Sequence, residues 1–464
     1  MSTDRRWWAL AVIAAAQFMV IMDTSIIGVA LPRMREELGF SQGNLSWVFN
    51  AYVVAFGGLL LLGGRLSDLV GARRIFAVGW GILAVGSVVA GAATQVWVEL
   101  AGRAVQGAGA ALIAPAALTM LMVLFGGRPA ELPKALALYG AAAPAGGTAG
   151  VFLGGVITEY VSWPWVFYLN VPIAVVILAV TPRLMPKGVA RRGGMDLAGA
   201  LTVTGGLAAA VYAIVRAPEA GWGSASTILW LGVAVVLLGT FVALQARRRD
   251  PLVRLGIFRT PDLSAANLAQ LLLGAAWIPM WFFLNLYLQQ VLDLGAFASG
   301  AALLPMTTMI MLIMIVVAPR LAARFGARAM VVAGLATLAV GLGWLSFVRP
   351  TGTFWVDVLT ASLVTAAGMA LAFIPSLGTA LSSARPEEGG LASGIVNTSY
   401  QVGSALGLAA MTAVASALGA GQTGDTALLT DGLSSAFVGA GAVAVAGALL
   451  AGLTLRGHRA LANR

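Results

Sequence analysis

The sequence predicts an all-α integral membrane protein: two pseudo-symmetric six-helix bundles with two linker helices inserted between them, fourteen transmembrane helices in all. Three observations carry this expectation. Of the 464 residues, 59% are hydrophobic and only 10% charged, with a mean hydropathy of +0.91. The apolar residues fall in runs near the ~20 residues that carry a helix across a ~30 Å hydrocarbon core, and the ~10-residue alternating segments of a membrane β-barrel are absent. The second half of the chain also repeats stretches of the first.

Polar breaks divide the apolar runs into spans 8–31, 46–63, 75–93, 97–124, 134–158, 163–182, 196–216, 226–246, 264–289, 298–318, 329–347, 354–375, 391–418 and 433–455. The first span follows Arg5 and Arg6, and its apolar run is too long for a signal peptide. The second and third spans bracket the basic loop GGRLSDLVGARR, Gly63 to Arg74. The fourth and fifth are rich in Gly and Ala, which allows close helix packing. The sixth completes a bundle over residues 1–182. The seventh and eighth lie between basic segments 183–195 and 247–262, as an inserted hairpin within 183–262. The ninth to fourteenth make the second bundle, 263–464, with the C-terminal tail.

GGRLSDLVGARR (63–74) is similar to APRLAARFGARA (318–329), GAGAALIAPAAL (107–118) to AGMALAFIPSLG (367–378), and GRPAE (127–131) to ARPEE (384–388). The offsets of 255, 260 and 257 describe two parallel six-helix units, as in transporters built from repeats. With both termini cytoplasmic, inside segments hold 23 Lys and Arg, and outside segments hold four: Arg33, Arg35, Arg216 and Arg349. That is a strong positive-inside bias. The net charge of +10 therefore reads as topology, not as a nucleic-acid surface. Trp7, Trp8, Trp47, Trp97, Trp163, Trp165, Trp222 and Trp355 fall near span ends and read as interfacial anchors.

Several chemistries are excluded. There is no cysteine, which excludes a thiolate metal site, and the one histidine, His458, is in the tail, which leaves little material for a zinc or haem centre. The two lysines, Lys134 and Lys187, do not follow glycine, so there is no Walker A loop. GFSQG (39–43) matches the G-x-S-x-G pattern of a hydrolase elbow, but no strand precedes it and His458 is on the other side of the membrane. No enzyme, metal or cofactor is expected.

The motifs resemble those of the major facilitator superfamily. GGRLSDLVGARR is similar to its signature loop between the second and third helices, and LAGRAVQGAGAALIAPAAL (100–118) to its fourth-helix motif. MDTSIIGVALP (22–32) resembles the first-helix motif of the fourteen-helix drug:proton antiporters. The resemblance covers essentially the whole chain. It implies the major facilitator fold and export of amphiphilic drugs, dyes, antibiotics or natural products in exchange for protons. The chain departs from the pattern at three places: Val151 stands at the proline position of the fifth-helix motif, with Pro144 two turns earlier. Gly28 stands where asparagine is frequent, and Pro164 where arginine is common.

Asp23 is the candidate coupling carboxylate. A charge near the middle of a membrane helix costs ~2.5–3.5 kcal/mol on insertion scales, so such a residue faces a cavity or a partner. Arg103, the only basic residue deep in a span, lies at a similar depth in the fourth helix. The two can meet directly or through Gln106; Arg103 can equally pair with Glu99, one turn away. Asp23 then either alternates between proton and cationic substrate or makes a structural ion pair. Burial favours its neutral form and a neighbouring arginine its ionised form.

The repeat offset sets residues 276–278 as the counterpart of Asp23. There Trp277 and Trp281 lie one turn apart, with Asn285 a turn further on, an aromatic wall suited to a lipophilic cation or simply to packing. Asn397, Tyr400 and Gln401 are further polar candidates, with Gln17, Asn50, Tyr52 and Tyr139 behind them. Asp68 is a gate candidate with Gly64, Arg65, Gly71, Arg73 and Arg74; its carboxylate can pair with the arginines or with a helix N-terminus of the other half. The second copy of the loop has Ala323 in its place. Gly107, Gly150, Gly154 and Gly155 are assigned to close packing of the fourth and fifth helices.

The expected function is proton-coupled efflux by alternating access across the plasma membrane, by a monomer whose partners are the bilayer, the small-molecule substrate and protons. The alternatives are a dedicated exporter of one metabolite, siderophore or lipid, another transport mode, and a non-transporting membrane enzyme or scaffold.

Overall fold

The computed structural model describes residues 3–40, 47–186, 196–248, 251, 253, 255–385, 388–420 and 425–456. Lys187, His458, most of the basic segment 183–195 and positions 41–43 of GFSQG lie outside them. The described residues form helices joined by short turns and loops, without a strand. The helices are α1 (Thr3–Leu38), α2 (Trp47–Leu66), α3 (Ala72–Gly91), α4 (Val96–Phe125), α5 (Leu132–Tyr160), α6 (Trp165–Tyr168), α7 (Asn170–Leu184), α8 (Leu197–Ala220) and α9 (Ala225–Arg247). They continue as α10 (Pro261–Leu286), α11 (Ala296–Ala302), α12 (Leu304–Leu312), α13 (Ala318–Leu345), α14 (Thr360–Ser382), α15 (Gly389–Ala415) and α16 (Thr426–Thr454).

Eleven continuous helical segments among the described residues are long and apolar enough to cross a membrane, and α8 contains a shorter apolar stretch, Ala198–Ile214. Two of the eleven, Trp47–Gly91 and Phe297–Leu345, have 45 and 49 residues. At 1.5 Å per residue each extends roughly twice the ~30 Å hydrocarbon thickness. Each contains one glycine with positive φ, Gly71 at +99° and Gly326 at +80°. A side chain disfavours that backbone region, so these glycines are where the chain can turn between two crossings.

The chain forms two compact units. The first comprises residues 1–135, 149–257 and 384–398; the second comprises 136–148, 258–383 and 399–464. In the first unit, α3 and α4 pack backbone to backbone. A Cβ at Gly79 would lie 2.8 Å from the Gly109 carbonyl oxygen, and one at Gly109 would lie 2.7 Å from that of Gly79. In the second unit α13 and α14 do the same: a Cβ at Gly334 would lie 2.8 Å from the Gly368 oxygen, and one at Gly368 would lie 2.7 Å from that of Gly334. Gly79 and Gly334 are 255 positions apart, the offset of the repeated loop. The repeat is thus a repeat of helix packing as well as of letters.

The inserted hairpin has its own polar clasp. Asp196 caps α8 by accepting from the Gly199 amide at 2.8 Å, and it also accepts from Gln245 at 2.8 Å and from Arg248 at the end of α9. Ser224 caps α9 through the Thr227 amide. Trp8, Trp97, Trp165, Trp222 and Trp355 are exposed near helix ends. Trp163 is not: it is buried, and its indole N–H donates to Glu37 at 2.7 Å. Its position near a span end suggested an anchor, but the carboxylate within the fold gives its polar edge an internal partner.

Candidate functional site

The fold of the first unit places Asp23 on α1 with Arg103 and Gln106 on α4. Arg103 Nη1 donates to Asp23 Oδ2 at 2.7 Å, with side chains 0% and 1% exposed. The same Nη1 donates to Gln106 Oε1 at 2.7 Å, and Nε donates to the Val48 carbonyl at 2.9 Å. Gln106 Nε2 donates to Asp23 Oδ1 at 3.1 Å and to the Ser87 hydroxyl at 2.8 Å. Asn170, the first residue of α7, donates to Asp23 Oδ1 at 2.6 Å and to Ser87 at 3.2 Å. The Arg103 guanidinium carbon sits 4.6 Å from the centre of the Tyr52 ring and 6.0 Å from that of Phe167.

A buried ion pair is tolerable only when its remaining donors and acceptors are satisfied. Asp23 meets that condition, accepting from a guanidinium and two amides. Arg103 meets it in part, because its Nη2 has no hydrogen-bond partner. Glu99, the other candidate partner of Arg103, is buried with both carboxyl oxygens unpartnered. Asn170 and Ser87 escaped sequence reasoning. The available signals were a carboxamide opening the sixth apolar span and a hydroxyl inside the third, each too common in membrane helices to single out.

Small residues bring these helices close. A Cβ at Gly107 would lie 2.3 Å from the Tyr52 carbonyl oxygen, which draws α4 against α2. Gly150 and Gly154 admit α1 in the same way, with positions for a Cβ 2.8 Å from the Met22 oxygen and 2.7 Å from the Ile26 oxygen. Gly155 differs: a Cβ there would meet nothing within 4 Å, so no close approach requires glycine at that position. Val151, at the motif's proline position, is buried in an α5 that stays helical through it.

Asp68 lies in the π-helical turn Ser67–Gly71 that follows α2. Its Oδ1 accepts from the Gly390 amide at 2.8 Å and its Oδ2 from the Leu391 amide at 3.0 Å, in the first turn of α15. The first four amides of a helix lack internal partners and carry partial positive charge, so a carboxylate satisfies both needs. Gly64 makes room for this contact, because a Cβ there would lie 2.5 Å from the Gly390 oxygen. Arg73 reaches the Pro182 carbonyl at 3.4 Å, Arg74 is exposed, and Arg65 is half-buried with its Nε unpartnered.

In the second unit, Trp277 and Trp281 pack on each other on α10, with ring centres 6.1 Å apart. Asn285 accepts from Gln289 at 2.8 Å. Tyr400 on α15 meets Phe373 edge to face, with ring centres 5.7 Å apart, and Gln401 beside it is half-buried. Helices α10 and α15 are in backbone contact here, since a Cβ at Gly274 would lie 2.4 Å from the Tyr400 oxygen. Asn397 falls in the first unit and spends its amide on its own helix, donating to the Ser393 carbonyl at 2.8 Å.

The profile of the Major Facilitator Superfamily matches residues 13–408. The cephamycin export protein of Amycolatopsis lactamdurans is 38% identical to the chain, over 93% of this chain and 89% of that protein. The puromycin resistance protein of Streptomyces alboniger is 37% identical, over 91% of this chain and 84% of its own length. The crystal structure of the human organic anion transporter TETRAN superposes with a TM-score of 0.69 at 16% identity, covering 97% of this chain and all of that one. The protein is a multi-pass membrane transporter rather than an enzyme. With the profile spanning most of its length and relatives above one-third identity, the chain belongs to the major facilitator superfamily.

Proposed function

We propose that the protein exports amphipathic, antibiotic-like small molecules in exchange for protons, by alternating access, with Asp23 as the coupling carboxylate. The observation that carries this reading is a buried, fully satisfied carboxylate held by a single arginine and two amides. Such a group can trade its cation for a proton, or for a cationic substrate, while the two amides continue to hold its oxygens. The names of the relatives support the cargo class, because they are export or resistance proteins for cephamycin and puromycin.

Placement among the fourteen-helix drug:proton antiporters is part of the proposal. Fourteen crossings result when each of the two long segments counts twice and α8 counts once beside the remaining nine. The plasma membrane and a monomer are part of the proposal; the charge bias supports cytoplasmic termini, and the repeat supports a division at 1–182, 183–262 and 263–464. Asp23 and Gln106 are proposed to offer charge and hydrogen bonds to substrate. Trp277, Trp281, Asn285, Tyr400, Gln401 and Asn397 are proposed to offer aromatic and polar surface.

Inverted membrane vesicles test the coupling. An imposed proton gradient is expected to drive uptake of puromycin or a cationic dye, and adding the drug is expected to collapse the gradient. Drug movement indifferent to the gradient would overturn the reading. Trp281→Ala is expected to weaken cationic dye transport several-fold while leaving the amount of protein in the membrane unchanged, measured by dye efflux and immunoblot. A second reading, a dedicated exporter of one compound, draws on relatives named for single antibiotics; a substrate panel in efflux-deficient cells separates broad from narrow specificity.

Asp68 is proposed as a latch on the first turn of α15. Asp68→Asn removes the charge and is expected to weaken the contact by about 1–2 kcal/mol. The initial efflux rate is then expected to fall roughly ten-fold, with the protein still folded. An unchanged rate would leave the contact as simple helix capping.

A further inference from the structure

Glu99 is a second buried carboxyl beside the coupling site, and the arrangement of its neighbours gives it a role of its own. It lies on α4 one turn before Arg103, fully buried, with neither carboxyl oxygen hydrogen-bonded. It sits in the first turn of α4. A carboxylate serving as a helix cap would accept from a first-turn amide, and Glu99 accepts from none. The charged groups that act on it are Arg103 on its own helix and Asp23 on α1. From α2, Tyr52 lays its ring over Arg103, and its hydroxyl is also without a partner.

The charge count in this pocket is decisive. One guanidinium balances one carboxylate. With Asp23 ionised and hydrogen-bonded three times, a second ionised carboxylate with no hydrogen bond would be an uncompensated buried charge, which protein interiors avoid by protonation. Arg103 keeps Nη2 unpartnered while Nη1 and Nε are engaged. One face of the arginine is thus committed to Asp23 and its network, while a donor group stays free.

We propose that Glu99 and Asp23 share one proton around Arg103, so that Glu99 holds it while Asp23 binds the arginine, and Arg103 passes to Glu99 when Asp23 is protonated. The exchange balances: Glu99 loses the proton from its carboxyl, Asp23 gains one, and Arg103 stays charged throughout. The pocket is neutral in both states. Glu99 is then a proton-binding residue that lets Asp23 release the arginine without stranding it, which deepens the coupling role proposed for Asp23 and rests on it.

Infrared spectroscopy of the purified protein in lipid, titrated from acid to alkaline pH, reads this directly. Wild type is expected to show a protonated-carboxyl C=O band at neutral pH. The band is expected to disappear in Glu99→Gln, which mimics the neutral acid. It is also expected to disappear in Asp23→Asn, where Glu99 becomes the only counter-ion left to Arg103 and ionises. A wild type without the band, or a band unchanged in Glu99→Gln, overturns the proposal. A band lost in Glu99→Gln but retained in Asp23→Asn overturns it as well, because Glu99 would then be neutral independently of Asp23. The Asp23→Asn arm stands even if Glu99→Gln fails to fold. Both bands lost with undiminished efflux from Asp23→Asn overturns the coupling reading and not the shared proton; intact coupling with an unchanged band overturns the shared proton alone.

Discussion

Asp23→Asn is expected to reduce proton-driven efflux to the background of empty vesicles while leaving the protein folded in the membrane. Asparagine keeps the size of the side chain and one acceptor oxygen, so the donors of Arg103, Gln106 and Asn170 retain part of their network. What it lacks is a titratable proton. Removing one charge of a buried pair ordinarily costs ~3–5 kcal/mol, because the other charge is stranded. Here Glu99 lies one turn from Arg103 and can supply the missing negative charge. The stability cost is therefore expected near ~1–2 kcal/mol, the scale of a weakened buried hydrogen bond. Thermal unfolding in lipid nanodiscs and vesicle efflux measure the two effects separately. Arg103→Lys is the harsher change at this site, since an ammonium cannot reproduce the planar fork that reaches Asp23, Gln106 and the Val48 carbonyl together.

Gly107→Ala is expected to abolish activity by a different route. The added methyl would sit 2.3 Å from the Tyr52 carbonyl oxygen and 3.0 Å from the Tyr52 Cα, backbone atoms that cannot rotate away. Helices α2 and α4 must separate to admit it, and overpacking of this kind typically costs ~1–3 kcal/mol. The separation also draws the Tyr52 ring and the Val48 carbonyl away from the Arg103 guanidinium, since both are carried by α2. A lower unfolding temperature together with lost efflux is the expected result. Gly155→Ala is the control: with open space around the position, it is expected to leave both readouts unchanged.

The apolar helices were legible because a membrane helix must be apolar over a length fixed by the bilayer; their number was less so, since Trp47–Gly91 and Phe297–Leu345 each run as one segment through two expected spans. Asp23 and Arg103 were legible because a charge deep in such a span is rare and calls for a partner at the same depth. The choice of partner was not legible. At the level of spacing, Arg103 reaches Glu99 one turn away as readily as Asp23, and only the packing of α1 against α4 and α7 decides for Asp23. Asn170 and Ser87 were invisible for the same reason: a neutral polar group in a membrane helix costs little when it can bond its own backbone, so its presence predicts no partner. Gly150, Gly154 and Gly155 look alike in sequence, yet α1 passes beside the first two and leaves the third open. Trp163 shows the limit of the anchor rule, because nearness to a span end does not say which way the ring points.

Gly71 and Gly326 lie 255 positions apart and both take the left-handed backbone. Their flanking loops diverge in chemistry: the first carries Asp68, bound to the start of α15, while the second carries Ala323 at the equivalent place. A left-handed turn asks only for a residue without a side chain, whereas a latch asks for one particular carboxylate. The repeated chain therefore has the turn in both copies and the carboxylate contact in one. At this turn the two halves of the chain agree in backbone torsion and differ in the side chains around it.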